Sequence, residues 1–464
     1  MIILGTNSIK DTGYEVDNSC RFNRGSSDTL TRTPSSASNR RTWTWSGWVK
    51  RSGLGNIQTL FNGSDGGNPE IFYFDADDKF LYQHDIAGAD YKLISSQVFR
   101  DVSAWYHIVV AKDTTQSTET NRLKVYVNGS QITMNESALG YPTQNFEGAI
   151  NINDLHIIGN WKTNSYYVDG YLCEVAFIDG SQLDATSFGE FNSDSPTIWQ
   201  PIDVSGLTFG TNGFYLDFED SSALGNDAAG SNNFTVNNLT ATDQSTDTCT
   251  NNFATLNGAV LLTDVTLSEG NLKAAFGSAG TRSPAGATLA PTSGKWYYEV
   301  KLIASSAGNY ISIGYADIYA NGTQLGNYTT ASSLGFGINA WDGTIVNRTT
   351  TTTSAPGNFA MTPDDILGVY LDIDNLQQTF TLNGTQHSSG YDAITASTTG
   401  FYIPTIGDAG GSQTISAEIN FGSPTFAISS SNTDANGYGN FEYSPTIGGV
   451  NFYALNTKNL SEYG

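Results

Sequence analysis

The residues best suited to chemistry in this sequence lie in a turn-rich stretch, NWKTNSYYVDG, from Asn160 to Gly170. Aromatic faces stack on the C–H faces of pyranose rings, while Asn and Asp side chains bond the hydroxyls. Trp161, Asn164, Tyr166 and Tyr167 are therefore the first choice for a glycan site. Trp341 and Asp342, in the turn of INAWDGTIVN, are the second. Both sets compete with ordinary packing, because most Trp and Tyr side chains of a folded chain are core. Catalysis would need other constellations. The nearest approach to a working carboxylate pair is Asp217 and Glu219 in YLDFEDSS. The four histidines, His84, His107, His156 and His387, are isolated, with no HExxH spacing, no GxSxG elbow and no phosphate-binding glycine loop.

These residues must be positioned by β-structure. In KWYYEVKL, Trp296, Tyr298, Val300 and Leu302 share one face while Lys295, Tyr297, Glu299 and Lys301 share the other, which predicts a half-buried antiparallel strand. LKVYVNGSQI turns at Asn128-Gly129 and TFTLNGTQH at Asn383-Gly384, the dipeptide that suits a two-residue hairpin. Trp43 and Trp45 share a face by the same parity. One short helix is expected, over Leu183 to Phe191. The fold class expected is all-β, with two antiparallel β-sandwich domains in tandem and a coil-rich connector; their jelly-roll, lectin-like type is what family resemblance implies. The domains fall at 1–195 and 256–427, with the connector at 196–255 and a Gly-rich C-terminal tail at 428–464.

The 464 residues suffice for two or three domains. Acidic residues outnumber basic ones 45 to 21, a net charge of −24 that repels phosphate backbones and anionic lipid, so nucleic-acid binding is disfavoured. Charged residues are only 14% of the chain and aromatics 12%, a composition too rich in rings for a disordered chain. The start, MIILGTNSIKDTGYEV, has no basic n-region and is not expected to act as a Sec signal; no apolar run is long enough to insert in a membrane. Cys20, Cys173 and Cys249 are odd in number and far apart, which excludes a disulfide framework or zinc cluster.

The first strand cluster resembles the laminin-G/concanavalin-A-like jelly roll. The resembling pieces are CRFNRGSSDTLTRT, TWTWSGWVKRS, AWYHIVVAKD, LKVYVNG, LHIIGN and VDGYLCEVAFIDGSQLD, in the family's order between Cys20 and Asp184. The second cluster resembles a SPRY domain through GKWYYEVKL, ISIGYAD, LGFGI, DDILGVYLDIDNLQQTFTLNG and INFG, between Gly294 and Gly422. The stretch between, GTNGFYLDFEDSSALGNDAAGSNNFTVNNL with TNNFATLN, is similar to the connector of bacteriophage structural proteins that carry this domain pair.

That resemblance implies a non-enzymatic virion protein, a tail fibre or spike component that attaches to host surface glycans. The alternatives are a capsid decoration or head-fibre protein and, further off, an envelope-polysaccharide depolymerase. It implies assembly in the host cytoplasm, release by lysis, other virion proteins as partners, and a homo-oligomer, with a trimer the usual number although no heptad dictates it. Calcium is the cofactor such sandwiches most often hold, and Asp75, Asp77 and Asp78 in FDADDK, with Asp113, are the oxygen donors to consider. Laminarinase-type relatives aim three acids from one strand, and Asp217 and Glu219 lack the third. In the family the first and last jelly-roll strands are neighbours, which brings Cys20 near Cys173.

Overall fold

The computed structural model describes residues 13–464 apart from 67, 85–90, 137–138, 162–165, 261–263, 279–283, 307, 318–334, 348–349, 353–358, 388–389 and 409–412. Two compact units result, Thr12–Thr250 and Asn251–Gly464.

In the first unit, one sheet comprises β1 (Ser19–Phe22), β3 (Thr42–Arg51), β8 (Trp105–Asp113), β9 (Leu123–Val127), β10 (Ser130–Gln131), β13 (Gly170–Asp179), β16 (Phe214–Leu216) and β18 (Gln244–Ser245). Its order is β10-β9-β8-β3-β13-β1-β18, with β16 also on β13. The opposing sheet comprises β2 (Thr29–Arg32), β4 (Gln58–Asp65), β5 (Asn68–Phe74), β6 (Lys79–His84), β7 (Tyr91–Val98), β11 (Met134–Glu136), β12 (His156–Ile158) and β17 (Thr235–Asn237). It runs β11-β7-β6-β5-β4-β12-β2-β17. Alternation decides what lies between them. Trp43, Trp45 and Val49 of β3 point inward against Phe72, Phe74 and Tyr82, and the Trp45 and Phe72 rings meet edge-on at 5.0 Å. Ser46, Trp48 and Lys50 take the outer face by the same parity.

Across this core Lys112 of β8 reaches Glu70 of β5, Nζ to Oε1 at 2.5 Å with both side chains fully buried. The hydroxyls of Tyr82 and Tyr91 and the Ile150 N–H also donate to the carboxylate. So complete a set of donors is what makes a charge tolerable there.

Residues 196–255, read from sequence as a connector, supply β16, β17 and β18 to the two sheets. Arg21 of β1 also pairs with Asp243 at 3.1 Å. The helix expected over Leu183 to Phe191 is instead a 3-10 turn at Ala185–Ser187, capped by Asp184, followed by a strand. That strand, β14 (Gly189–Phe191), pairs with β15 (Trp199–Pro201), and Gly189 lies so close to Trp199 that a Cβ would collide with the indole. Hairpin pairing outweighs the short helical signal.

The second unit is again two sheets. One holds β19 (Val265–Ser268), β20 (Lys273–Phe276), β22 (Lys295–Ser305), β27 (Ile366–Asp372), β28 (Gln377–Leu382), β29 (Thr385–Gln386), β30 (Asp392–Ala393), β32 (Ile415–Asn420) and β35 (Tyr453–Ala454). The other holds β21 (Pro284–Gly286), β23 (Ile311–Ala316), β24 (Gly335–Asn339), β25 (Thr344–Asn347), β26 (Thr350–Thr352) and β31 (Ile403–Asp408). A small hairpin, β33 (Thr446–Ile447) with β34 (Val450–Asn451), and helix α1 (Thr457–Tyr463) close the chain. Trp296, Tyr298, Val300 and Leu302 enter the core as the alternation predicts. The opposite face of β22 is covered too. Tyr297 packs with Tyr370, Phe441 and Phe452, and the Glu299 carboxylate accepts the N–H groups of Glu442 and Tyr443. The Gly-rich tail thus buries a face that alternation alone would leave to solvent.

Both Asn-Gly pairs turn as expected, with φ of 47° and 79° at Asn128-Gly129 and 49° and 77° at Asn383-Gly384. Cys20 stands opposite Leu172 in the β1–β13 register, so it faces the core while Cys173, one residue on, faces out. The neighbour of Cys173 is Cys249, with which it shares a side-chain hydrogen bond, and all three thiols are free. The expected approach of Cys20 to Cys173 fails because adjacent positions on paired strands point to opposite sides.

Candidate functional site

The outer face of the second sheet in the first unit gathers the sequence-selected aromatics. Register sets Asn62 opposite Ile71 and Ile71 opposite Gln83; Thr59, Tyr73, Leu81 and Ile94 form the adjacent row. Since Phe72 and Phe74 fill the interior, these alternate residues share the outer side. Ile71, Tyr73 and Leu81 make an apolar patch joined by Ile57, Ile94 and Trp161. The loop after β12 lays Trp161 on it. Asn62 Nδ2 donates to the Asn160 carbonyl at 2.6 Å, Asn160 Oδ1 accepts from the Tyr166 N–H at 3.0 Å, and the Tyr166 carbonyl accepts from the Thr59 N–H at 2.9 Å. Those three bonds fix both ends of the loop, and the Trp161 and Tyr166 rings lie 5.6 Å apart at 30°.

Polar groups border the aromatics. The Tyr73 hydroxyl donates to Gln83 Oε1 at 2.9 Å, and Thr59 Oγ1 and Asn62 Oδ1 are buried with no hydrogen-bond partner among the described residues. Tyr167 is half-buried beside them in sequence, and Asn164 lies outside the described residues. Sequence reasoning missed Tyr73, Gln83, Ile71 and Leu81. Their signal was the parity of NPEIFYF and KFLYQH, readable only once the inner face is known.

Trp341 and Asp342 belong to the second unit, at the β24–β25 hairpin. Asp342 Oδ1 accepts the Thr344 N–H at 2.9 Å, closing the turn, and Trp341 leans on Tyr310 with centroids 5.2 Å apart.

The acids considered for calcium are engaged by their own neighbourhoods. Asp75 Oδ1 accepts the N–H groups of Asp77 and Lys79, which shapes the β5–β6 turn. Asp78 pairs with Arg51 at 3.1 Å and Arg100 at 2.9 Å and accepts the Gly55 N–H. Asp113 accepts from Thr42, Thr115 and Gln116 at the end of a strand in the other sheet. Among the described residues no three His, Cys, Asp or Glu side chains gather as a metal site would require.

His107 and His156 are buried, and burial pushes their imidazoles down to about 3 and about 4, so both are neutral at ordinary pH. The Trp199 indole N–H donates to His107 Nδ1 at 3.0 Å. His107 Nε2 therefore carries the proton and donates to Ser46 Oγ at 2.8 Å.

One further acid emerges only in three dimensions. Glu174 occupies the bulge where β13 shifts register against β3, at φ 52°. Val175 stands opposite Leu216, which places Glu174 beside the strand end that carries Asp217 and Glu219. Burial pushes its carboxyl up to about 7, the Tyr215 hydroxyl at 2.7 Å opposes that, and the charges of Asp217 and Glu219 raise it further. A buried carboxyl whose proton affinity is raised beside further carboxyls is a pattern that acid and base pairs use.

Comparison with known proteins agrees with the architecture. Residues 24–185 match the concanavalin A-like lectin/glucanases superfamily. Residues 295–423 match the SPRY domain, so the chain carries a laminin-G-type lectin-like domain and a SPRY domain in tandem. Among solved structures, the SPRY domain of human HERC1 is similar at 16% identity and a TM-score of 0.28, over 33% of this chain and 91% of that one. Domains LG4-5 of the mouse laminin alpha1 chain are similar at 9% identity and a TM-score of 0.30, over 86% and 84%. No curated protein matches the sequence.

Proposed function

We propose that this chain is a glycan-binding protein that works by attachment, and that its sugar site is the outer sheet face around Trp161 and Tyr166. The observation that carries this is the half-buried Trp161 ring packed on the Ile71, Tyr73 and Leu81 patch with the Tyr166 ring 5.6 Å from it, and amide and hydroxyl groups at the border. The lectin-like family match of the surrounding strands supports it. The finer reading is a bacteriophage tail fibre or spike component, released by lysis and oligomeric, in which linked weak sites gain avidity. It rests on the resemblance of the domain pair and its connector to phage structural proteins. Binding rather than chemistry is proposed as its work.

The test is binding to host envelope polysaccharide and a broad glycan array, with and without a calcium chelator. Saturable binding that falls about tenfold in Trp161→Ala or Tyr166→Ala, the loss of about 1.4 kcal/mol of stacking, supports the site. Binding unaffected by both changes refutes the site, and no binding at high density turns the reading to capsid decoration. Glu174 with Asp217 and Glu219 is the one observation that favours hydrolysis instead. Release of reducing ends, abolished by Glu174→Gln, would establish that second reading.

A further inference from the structure

We propose that Lys50 and Asp247 condense into an intramolecular isopeptide bond, a covalent cross-link between β3 and the segment that follows β18. Lys50 Nζ lies 2.6 Å from Asp247 Oδ2, and each side chain is 1% exposed. The two residues are 197 positions apart in sequence. Lys50 projects from the outer face of the first sheet, between Trp105 of β8 and Tyr171 of β13 in register. Its Nζ is 5.7 Å from the centroid of the Tyr171 ring.

A nucleophile, an electrophile and a polarising donor meet at this pair. The nucleophile is the Lys50 amine, and burial lowers its proton affinity although Asp247 and Asp101 oppose the effect. The electrophile is Asp247 Cγ. The Trp105 indole N–H donates to Asp247 Oδ1 at 3.2 Å, where it polarises the carbonyl and receives charge as the carbon becomes tetrahedral. The Ser19 hydroxyl fixes the Asp247 main chain by donating to its carbonyl at 2.6 Å.

The step balances without an oxidant or co-reactant. An ammonium and a carboxylate become a secondary amide and one water: the Nζ–Cγ bond forms, one Cγ–O bond breaks, two nitrogen protons leave with that oxygen and the third stays on the amide. Two features favour the product. Contact distance and burial hold the groups at a very high effective concentration. The neutral amide also replaces a buried ion pair whose desolvation cost is large.

The chain supplies its own control. Lys112 and Glu70 are also buried and in contact, at 2.5 Å, and there the hydroxyls of Tyr82 and Tyr91 and the Ile150 N–H all stabilise the Glu70 carboxylate as an anion. That pair is expected to stay ionic.

The experiment is the intact mass of the full-length chain, held in neutral buffer and then denatured and reduced. The expected result is a mass lower than the sequence mass by one water, and a branched peptide on digestion that joins Lys50 to Asp247. Lys50→Arg keeps the charge and is expected to restore the full mass; if that variant fails to fold, the branched peptide of the unaltered chain decides alone. A chain at the full sequence mass overturns the proposal. So does water loss without a branched peptide, as a succinimide would give, or a branch joining Lys112 to Glu70.

Discussion

Replacing Glu174 by Gln should make the first unit more stable at high pH and leave it unchanged at low pH. The Glu174 carboxyl is buried, accepts from the Tyr215 hydroxyl, and is pushed up to about 7 from the ordinary 4.5. A raised value in the folded state means that folding favours the protonated form. The stability this proton confers is fully present below pH 4.5 and is lost as pH rises through about 7. At about 1.4 kcal/mol for each tenfold change, the loss between those limits is about 3 kcal/mol. Gln keeps the shape and still offers an oxygen to Tyr215, but it never ionises. With about 240 residues in the Thr12–Thr250 unit, unfolding entropy near 0.5 kcal/mol/K converts that difference to a gain of about 6 °C at pH 8.5. The assay is thermal unfolding of both chains from pH 4.5 to 8.5, followed by tryptophan fluorescence, since six of the eight tryptophans lie in this unit. Melting curves of the two chains that run parallel across the range would refute the reasoning. A variant less stable at pH 8.5 would do the same.

The core ion pair and the thiols give two further tests. Lys112→Met leaves the Glu70 carboxylate buried without its cation and should cost about 3–5 kcal/mol in denaturant unfolding, whereas adding Glu70→Gln, which removes the charge and keeps an acceptor for Tyr82, Tyr91 and Ile150, should recover most of it. A double variant no better than the single one would mean that the pair contributes more than mutual neutralisation. Mild oxidation with diamide should join Cys173 to Cys249, with Cys20 alkylated only after unfolding, because Cys20 faces the core and the other two share the outer side. Peptide mapping that recovers Cys20 bonded to Cys173 would contradict the β1–β13 register.

What could be read from the sequence was local. Trp43 and Trp45 belong to the core because alternation along one strand is a property of that strand, and Asn128-Gly129 and Asn383-Gly384 turn because that pair accepts positive φ without help from distant residues. The helix over Leu183 to Phe191 failed at the same scale, since a signal that short yields to any strand partner within reach. The aromatics Trp161 and Tyr166 were legible as residue types, but the patch beneath them was not, because the inner and outer faces of β5 and β6 are told apart only by the sheet opposite.

By itself the sequence determined that the chain is built of two-sided strands with polar turns, hence sandwiches, and which residue types could meet a sugar. Tertiary structure alone decided which surfaces those strands share. Glu174 joins Asp217 and Glu219 through a bulge that no repeat announces. Asp78 spends its charge on Arg51 and Arg100, and Asp247 returns across nearly two hundred residues to Lys50. The physical reason is common to all of these. Side-chain periodicity is set by backbone geometry within a strand, whereas sheet order, register and bulges depend on pairing between distant segments, and a shift of one residue sends a side chain to the opposite face.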